Sequence, residues 1–212
     1  MPSLELLSLI PITIAAVVGT WRFKELSSPL RGIVIVVFSE LFMEGVSRVT
    51  GTFLKNNLFT LPIDTVLEFT LLAWVYRQIL QPSVVSRWLP VVIGLFIVWG
   101  LLSYLRPNSV YEFNTLQRFT ESLLVLSLVL LYFYKVIREL VIVQLEREPM
   151  LWVSLGLLLY FAGNVFIFIS SNYVMQRSSA LSLQLWAVHA VIYMVLNLSY
   201  ALALWIAPSN QK

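Results

Sequence analysis

The sequence predicts an all-α integral membrane protein, a single bundle of seven transmembrane helices with its N-terminus outside and its C-terminus in the cytoplasm. Three observations lead there. The 212 residues are 59% hydrophobic and 12% charged, with a mean hydropathy of +0.85, too little polar surface to cover a soluble globule. Seven apolar runs of roughly 20 residues each match a hydrocarbon core of about 30 Å. The basic residues stand singly at the ends of these runs, where anchoring and topology account for them, and nucleic-acid binding is not expected despite the net charge of +3.

The runs fall at about 4–21, 30–49, 60–80, 88–105, 115–134, 150–170 and 183–206. The first begins after MPSLELL, without a basic leader or a small-residue cleavage site, and is expected to be a retained helix. It contains Pro11, which a membrane helix tolerates when neighbours satisfy the freed carbonyl. Pro62 stands in the first turn of the third run, where proline costs least. The fourth has no charged residue from Trp88 to Leu105, as a lipid-facing helix would. A turn is expected in RPNSVYEFN. The fifth run is expected to continue into an interfacial helix through KVIRELVIVQLERE, and the chain closes with the polar PSNQK.

Orientation follows from Lys and Arg. With the N-terminus outside, Arg22, Lys24, Arg31, Arg77, Arg87, Lys135, Arg138, Arg147 and Lys212 face the cytoplasm; Arg48, Lys55, Arg106, Arg118 and Arg177 face outward. Trp21, Trp88, Tyr132, Tyr134, Trp152 and Trp205 fit interfacial belts at the run ends.

The second run carries Glu40 and Glu44 well inside it. On insertion scales an acidic residue at a helix centre costs roughly 2.5–3.5 kcal/mol, so such a group needs a reason. Four residues apart, the two acids share a helical face and are expected to look into the bundle, with Ser47 continuing that face. Asp64 and Glu68 repeat the spacing in the third run, and Arg118 and Glu121 open the fifth. His189, Tyr193, Asn197 and Tyr200 form one stripe along the seventh. In the expected orientation these groups and Asn164 converge in the outer half of the membrane. The candidate ligand-binding residues are therefore Glu40, Glu44, Glu68, Arg118, Glu121, Asn164, His189, Tyr193 and Asn197. Each also has a structural explanation: interhelical hydrogen bonds for Glu40 and Glu44, a helix N-terminus for Asp64, mutual pairing for Arg118 and Glu121, and packing for His189.

Familiar chemistry is missing. The chain has no Cys and one His, so neither thiolate nor multi-histidine metal sites can form, and no HExxH, GxSxG, Walker or dinucleotide-binding motif appears. No cofactor is expected. The last run lacks a Lys for a retinal Schiff base.

The segments NNLFTLPIDTVLEFTLLAWVYRQIL, EPMLWVSLGLLLYFAGNVFIF and LWAVHAVIYMVLNLSYALALW resemble the heptahelical modules that occur in bacteria alone or as membrane sensors ahead of histidine kinases. The resemblance implies a sensor-like module in the bacterial inner membrane, with Glu68, His189 and Asn197 at functional positions. Kinase-linked members continue beyond the membrane module, whereas this chain stops at Lys212, so its output is expected to pass to a membrane or cytoplasmic signalling partner or through the loops.

The leading expectation is a receptor or sensor that binds a small amphipathic or cationic ligand, since the carboxylates of the second and third runs outnumber Arg118. A small-solute or proton-coupled permease using Glu40 or Glu44 is the alternative. A carboxylate-dependent intramembrane hydrolase is the third, and it lacks a visible nucleophile–base pair.

Overall fold

The computed structural model of the chain describes residues 7–105, 115–139, 144–177 and 179–208. These form seven α-helices and no strand: α1 Leu9–Arg22, α2 Ser28–Phe53, α3 Leu61–Ile79, α4 Val84–Ser103, α5 Thr115–Glu139, α6 Pro149–Arg177 and α7 Ser179–Ile206, with short 3-10 turns at Leu58–Thr60 and Leu145–Arg147. The turn expected at 106–114, the continuation of α5 through 140–143 and the tail from 209 lie outside the described residues.

Five helices, α3 to α7, are long and apolar enough to cross a membrane. The described part of α1 is shorter, at 14 residues. α2 has 26 residues but carries Arg31, Glu40, Glu44 and Arg48, a charge content that composition alone would not assign to lipid. It packs between α1 and α3 and touches α7, with Ile35, Phe38 and Phe42 exposed on its outer face.

The helices form a closed ring in the order α1, α2, α3, α5, α6, α7 and back to α1, with α4 laid against the outside of α3. Ridge-to-groove contact is closest where a side chain is missing. A Cβ on Gly156 of α6 would stand 2.7 Å from Ser199 Cβ of α7, and one on Gly163, two turns on, 2.7 Å from Ile192 Cδ1. These small positions allow α6 and α7 to approach closely, as glycines do in membrane helix pairs. Val36, Leu72, Leu157, Leu196 and Leu204 of the ring helices are fully buried, and Phe69 is fully buried against Phe96 of α4, at 4.6 Å between ring centroids. Outside, large apolar side chains are exposed on every helix; on α4 they follow a 3–4 spacing through Trp88, Val91, Leu95, Val98 and Leu102. In water such a surface would drive association, and in hydrocarbon it is the solvent contact.

One end of the bundle is basic, and its basic residues close helix ends. Arg22, at the end of α1, donates to the last carbonyls of α7: Leu204 O at 2.9 Å, Ala207 O at 2.7 Å, and Trp205 O. Arg31 of α2 donates to Phe23 O at 3.1 Å and Lys24 O at 3.0 Å, closing the end of α1. Lys135 of α5 does the same for α3, at Ile79 O (2.8 Å) and Gln81 O (3.0 Å). Pro90 inside α4 has no N–H to offer Ser86 O, and Arg77 Nε donates to that carbonyl at 3.3 Å. The carbonyls left over at helix C-termini thus meet cations, which also suit the negative end of the helix dipole. Of the expected belt aromatics, Trp21, Trp88, Tyr134 and Trp205 are exposed, with Trp21 and Trp205 forming a ring pair at 6.0 Å. Tyr132 departs from the belt: it is 3% exposed and points into the bundle.

Candidate functional site

Away from the basic end, one arginine gathers three acids. Arg118, near the start of α5, binds Glu68 Oε2 at 2.9 Å and Glu121 Oε2 at 3.2 Å through Nη1, while Nη2 pairs with Asp64. The fork geometry of a guanidinium permits this, because its donors diverge toward separate acceptors. Glu121 is one turn further along α5, and Asp64 and Glu68 stack one turn apart on α3, so the two helices are joined by charge. Arg118, Glu68 and Glu121 are all buried.

Glu40 lies beyond this cluster on α2. It is 8% exposed, and neither carboxyl oxygen has a hydrogen-bond partner. Among the polar groups around it, Tyr193 and Asn197 of α7 are placed to donate to its carboxyl, and Glu68 and Asp64 of α3 act on it as neighbouring charges. Glu44 behaves differently from the inward-looking acid expected. It is 34% exposed and bound to Arg48 of its own helix at 2.6 Å. The i, i+4 partner offers charge neutralisation at the bundle surface, so the face shared with Glu40 is turned partly outward there. Ser47 follows it outward and accepts a bond from Asn57 at 2.9 Å.

The α7 stripe lines the same interior. Asn197 is fully buried; its Nδ2 donates to Tyr193 O at 3.1 Å and its Oδ1 has no partner. His189 sits edge-on between Tyr160 of α6 (5.8 Å between centroids) and Trp186 (5.7 Å), and Tyr193 approaches the Tyr160 ring at 6.1 Å. Asn164 of α6 is fully buried with neither side-chain atom bonded. The structure therefore brings Glu40, Glu68, Arg118, Glu121, Tyr193 and Asn197 into one acidic interior, sets His189 at its aromatic edge, and leaves Glu44 outside it.

Sequence reasoning did not single out Tyr160 as a site residue; it is buried, and its ring meets those of His189 and Tyr193 at 5.8 and 6.1 Å. Sequence reasoning also missed Tyr76, whose hydroxyl shares a buried 2.7 Å hydrogen bond with Ser154 of α6. A tyrosine in an apolar run reads as packing, and only the partner on another helix reveals its hydroxyl. An apolar groove of about 370 Å³ on α1, lined by Ile10, Thr13, Ile14 and Val17, is remote in chemistry from this interior: the groove contains no ionisable group. Among the described residues no three acidic or histidine side chains are arranged to hold a metal ion.

No protein-family model, curated protein or solved structure matches the chain.

Proposed function

We propose that the chain is a receptor- or sensor-like membrane protein of seven spans, N-terminus outside, that admits a small organic cation to the acidic interior in the outer half of the bundle. The observation that carries this reading is charge imbalance in a buried place. Glu40, Asp64, Glu68 and Glu121 stand near one Arg118, and Glu40 is left outside its ion pairs. An uncompensated buried carboxylate is costly, and an ammonium group placed beside Glu40 would relieve that cost. Tyr160 and Tyr193 supply paired aromatic rings near the acids, the combination that recognises alkylated ammonium ions. The resemblance of segments in α3, α6 and α7 to bacterial heptahelical sensor modules supports a bacterial inner-membrane location.

The test is equilibrium binding of butyltrimethylammonium to the protein in nanodiscs, beside its uptake into proteoliposomes. Saturable binding that disappears in Glu40→Gln, without accumulation of the cation inside vesicles, is the expected result. Accumulation would favour the permease. Equal binding by wild type and Glu40→Gln would reject the site.

A further inference from the structure

At the basic end, the connection between α3 and α4 collects cations from three helices. Lys135 of α5 donates to Ile79 O at 2.8 Å and to Gln81 O at 3.0 Å. Arg77 of α3 donates through Nε to Ser86 O at 3.3 Å, and Arg87 of α4 is the next residue along the chain. All three cations are thus anchored on one short connection, residues 79–87. Their bonds leave donors over. Both Nη groups of Arg77 and the third ammonium hydrogen of Lys135 have no acceptor among the described residues, and Arg87 is exposed with no partner there. No acid balances them: between Glu68 and Glu112 the sequence has no Asp or Glu. Glu139, one turn beyond Lys135 on α5, is exposed and in no ion pair among the described residues. Glu25, beyond α1, is held by Arg22 at 3.2 Å, and Glu146 and Glu148 belong to the connection before α6.

The surface beside these cations is apolar and open. Trp88, the residue after Arg87, is 60% exposed, and the outer face of α4 continues through Val91, Leu95 and Val98. From Trp88 to Val98 this face runs about 15 Å, the depth of one leaflet of hydrocarbon. Gly94 lies on it with nothing within 4 Å of a built Cβ, which leaves a dent beside Leu95.

We propose that the α3–α4 connection binds an anionic phospholipid, with its phosphodiester held by Arg77, Arg87 and Lys135 and an acyl chain laid along α4 from Trp88 to Val98. A guanidinium fork matches the oxygens of a phosphate, and the ammonium adds a point charge beside it. Charge complementarity selects the occupant. Three like cations without an acid make a positive potential at the headgroup level, which a lipid of net negative charge lowers, whereas a zwitterionic lipid would bring a fourth cation. Because α4 is laid against the outside of α3, the site opens sideways to the bilayer, where a lipid arrives. Trp88 stands at the depth where headgroup gives way to chain, as tryptophans do at membrane interfaces. Arg77 lies thirteen residues along α3 from Asp64, about 20 Å, so this site is independent of the acidic interior and of any ligand there. Neutralising the three cations, the bound phosphate stabilises the end of the bundle where α3, α4 and α5 meet.

The full chain in detergent, titrated with dioctanoyl phosphatidylglycerol, dioctanoyl phosphatidylcholine or glycerol 3-phosphate, tests this by native mass spectrometry and by the shift in unfolding temperature. Phosphatidylglycerol should bind more tightly than phosphatidylcholine and raise the unfolding temperature further. Arg87→Gln removes a side chain with no partner among the described residues, so folding is not at risk, and it should weaken phosphatidylglycerol about fivefold; combined with Arg77→Gln the loss should reach about 25-fold. Lys24→Gln, an exposed cation on the α1–α2 side of the same end, should bind as wild type does. Equal affinity of wild type for the two lipids, undiminished binding by the double variant, or a loss in Lys24→Gln as large as in Arg87→Gln would overturn the site. Displacement of the lipid by glycerol 3-phosphate at matching concentrations would assign the cations to a free phosphate and overturn the lipid as occupant.

Discussion

Arg118 and Glu68 meet at 2.9 Å across the α3–α5 contact, fifty residues apart in sequence and both buried. Removing the guanidinium strands Glu68, Glu121 and Asp64 together. Breaking a buried pair by deleting one partner costs about 3–5 kcal/mol, well above the ~0.6 kcal/mol average for a polar contact in a membrane bundle. Arg118→Met should therefore lower stability by the larger amount in denaturant titrations in detergent. Arg118→Lys should recover only part of it, because an ammonium cannot fork toward three acids. A loss no greater than that of an ordinary polar contact would show that the cluster is not holding α3 to α5.

Arg22 closes α7 by donating to three of its terminal carbonyls. Hydrogen bonds to charged groups contribute roughly 1.5–3 kcal/mol, less where water competes. Arg22→Gln should fray the last turn of α7, seen as faster amide exchange over 201–206, while exchange around Arg118 stays as in wild type. Unchanged exchange in that turn would mean that water caps these carbonyls equally well.

Gly156 sits in the seam between α6 and α7. A Val there drives its Cβ into Ser199, and overpacking of this kind costs typically 1–3 kcal/mol. Gly45 of α2 has nothing within 4 Å of a built Cβ, so Gly45→Ala should be neutral or stabilising by up to about 1 kcal/mol through helix propensity. Thermal unfolding in detergent should separate the two glycines cleanly; equal effects would remove the α6–α7 seam from the account.

The helices were legible in the sequence because membrane spans are read from run length, and α3 to α7 each supply such a run. Glu40 was legible for the same reason: an acid in the middle of an apolar run has few places to go. Other features depend on partners distant in sequence. Asp64 and Glu68 lie about fifty residues from Arg118, and Arg22 lies more than 180 residues from the carbonyls it caps. No local pattern announces either contact. The pairing of Glu44 with Arg48 was open to local reasoning, since i, i+4 acid–base spacing is visible in EGVSR, yet the apolar context drew both acids inward. Tyr132 was misplaced because its position near the end of a span fits an interfacial belt and a buried hydroxyl equally well.

Orientation provides a separate prediction. A reporter fused after Lys212 should read cytoplasmic, and one inserted between Gln176 and Ser182 should read external, as the distribution of Lys and Arg requires. The opposite pattern would turn the acidic interior toward the cytoplasm and make any ligand an internal one.

If Glu40 is kept for binding at a cost in stability, Glu40→Leu should separate the two. Leucine removes a buried carboxyl that has no ion-pair partner among the described residues and should raise stability by about 1–3 kcal/mol, as relieving a functional compromise does. The same variant should no longer bind butyltrimethylammonium in nanodiscs. A Glu40→Leu protein that is less stable than wild type, or that still binds the cation, would contradict the account.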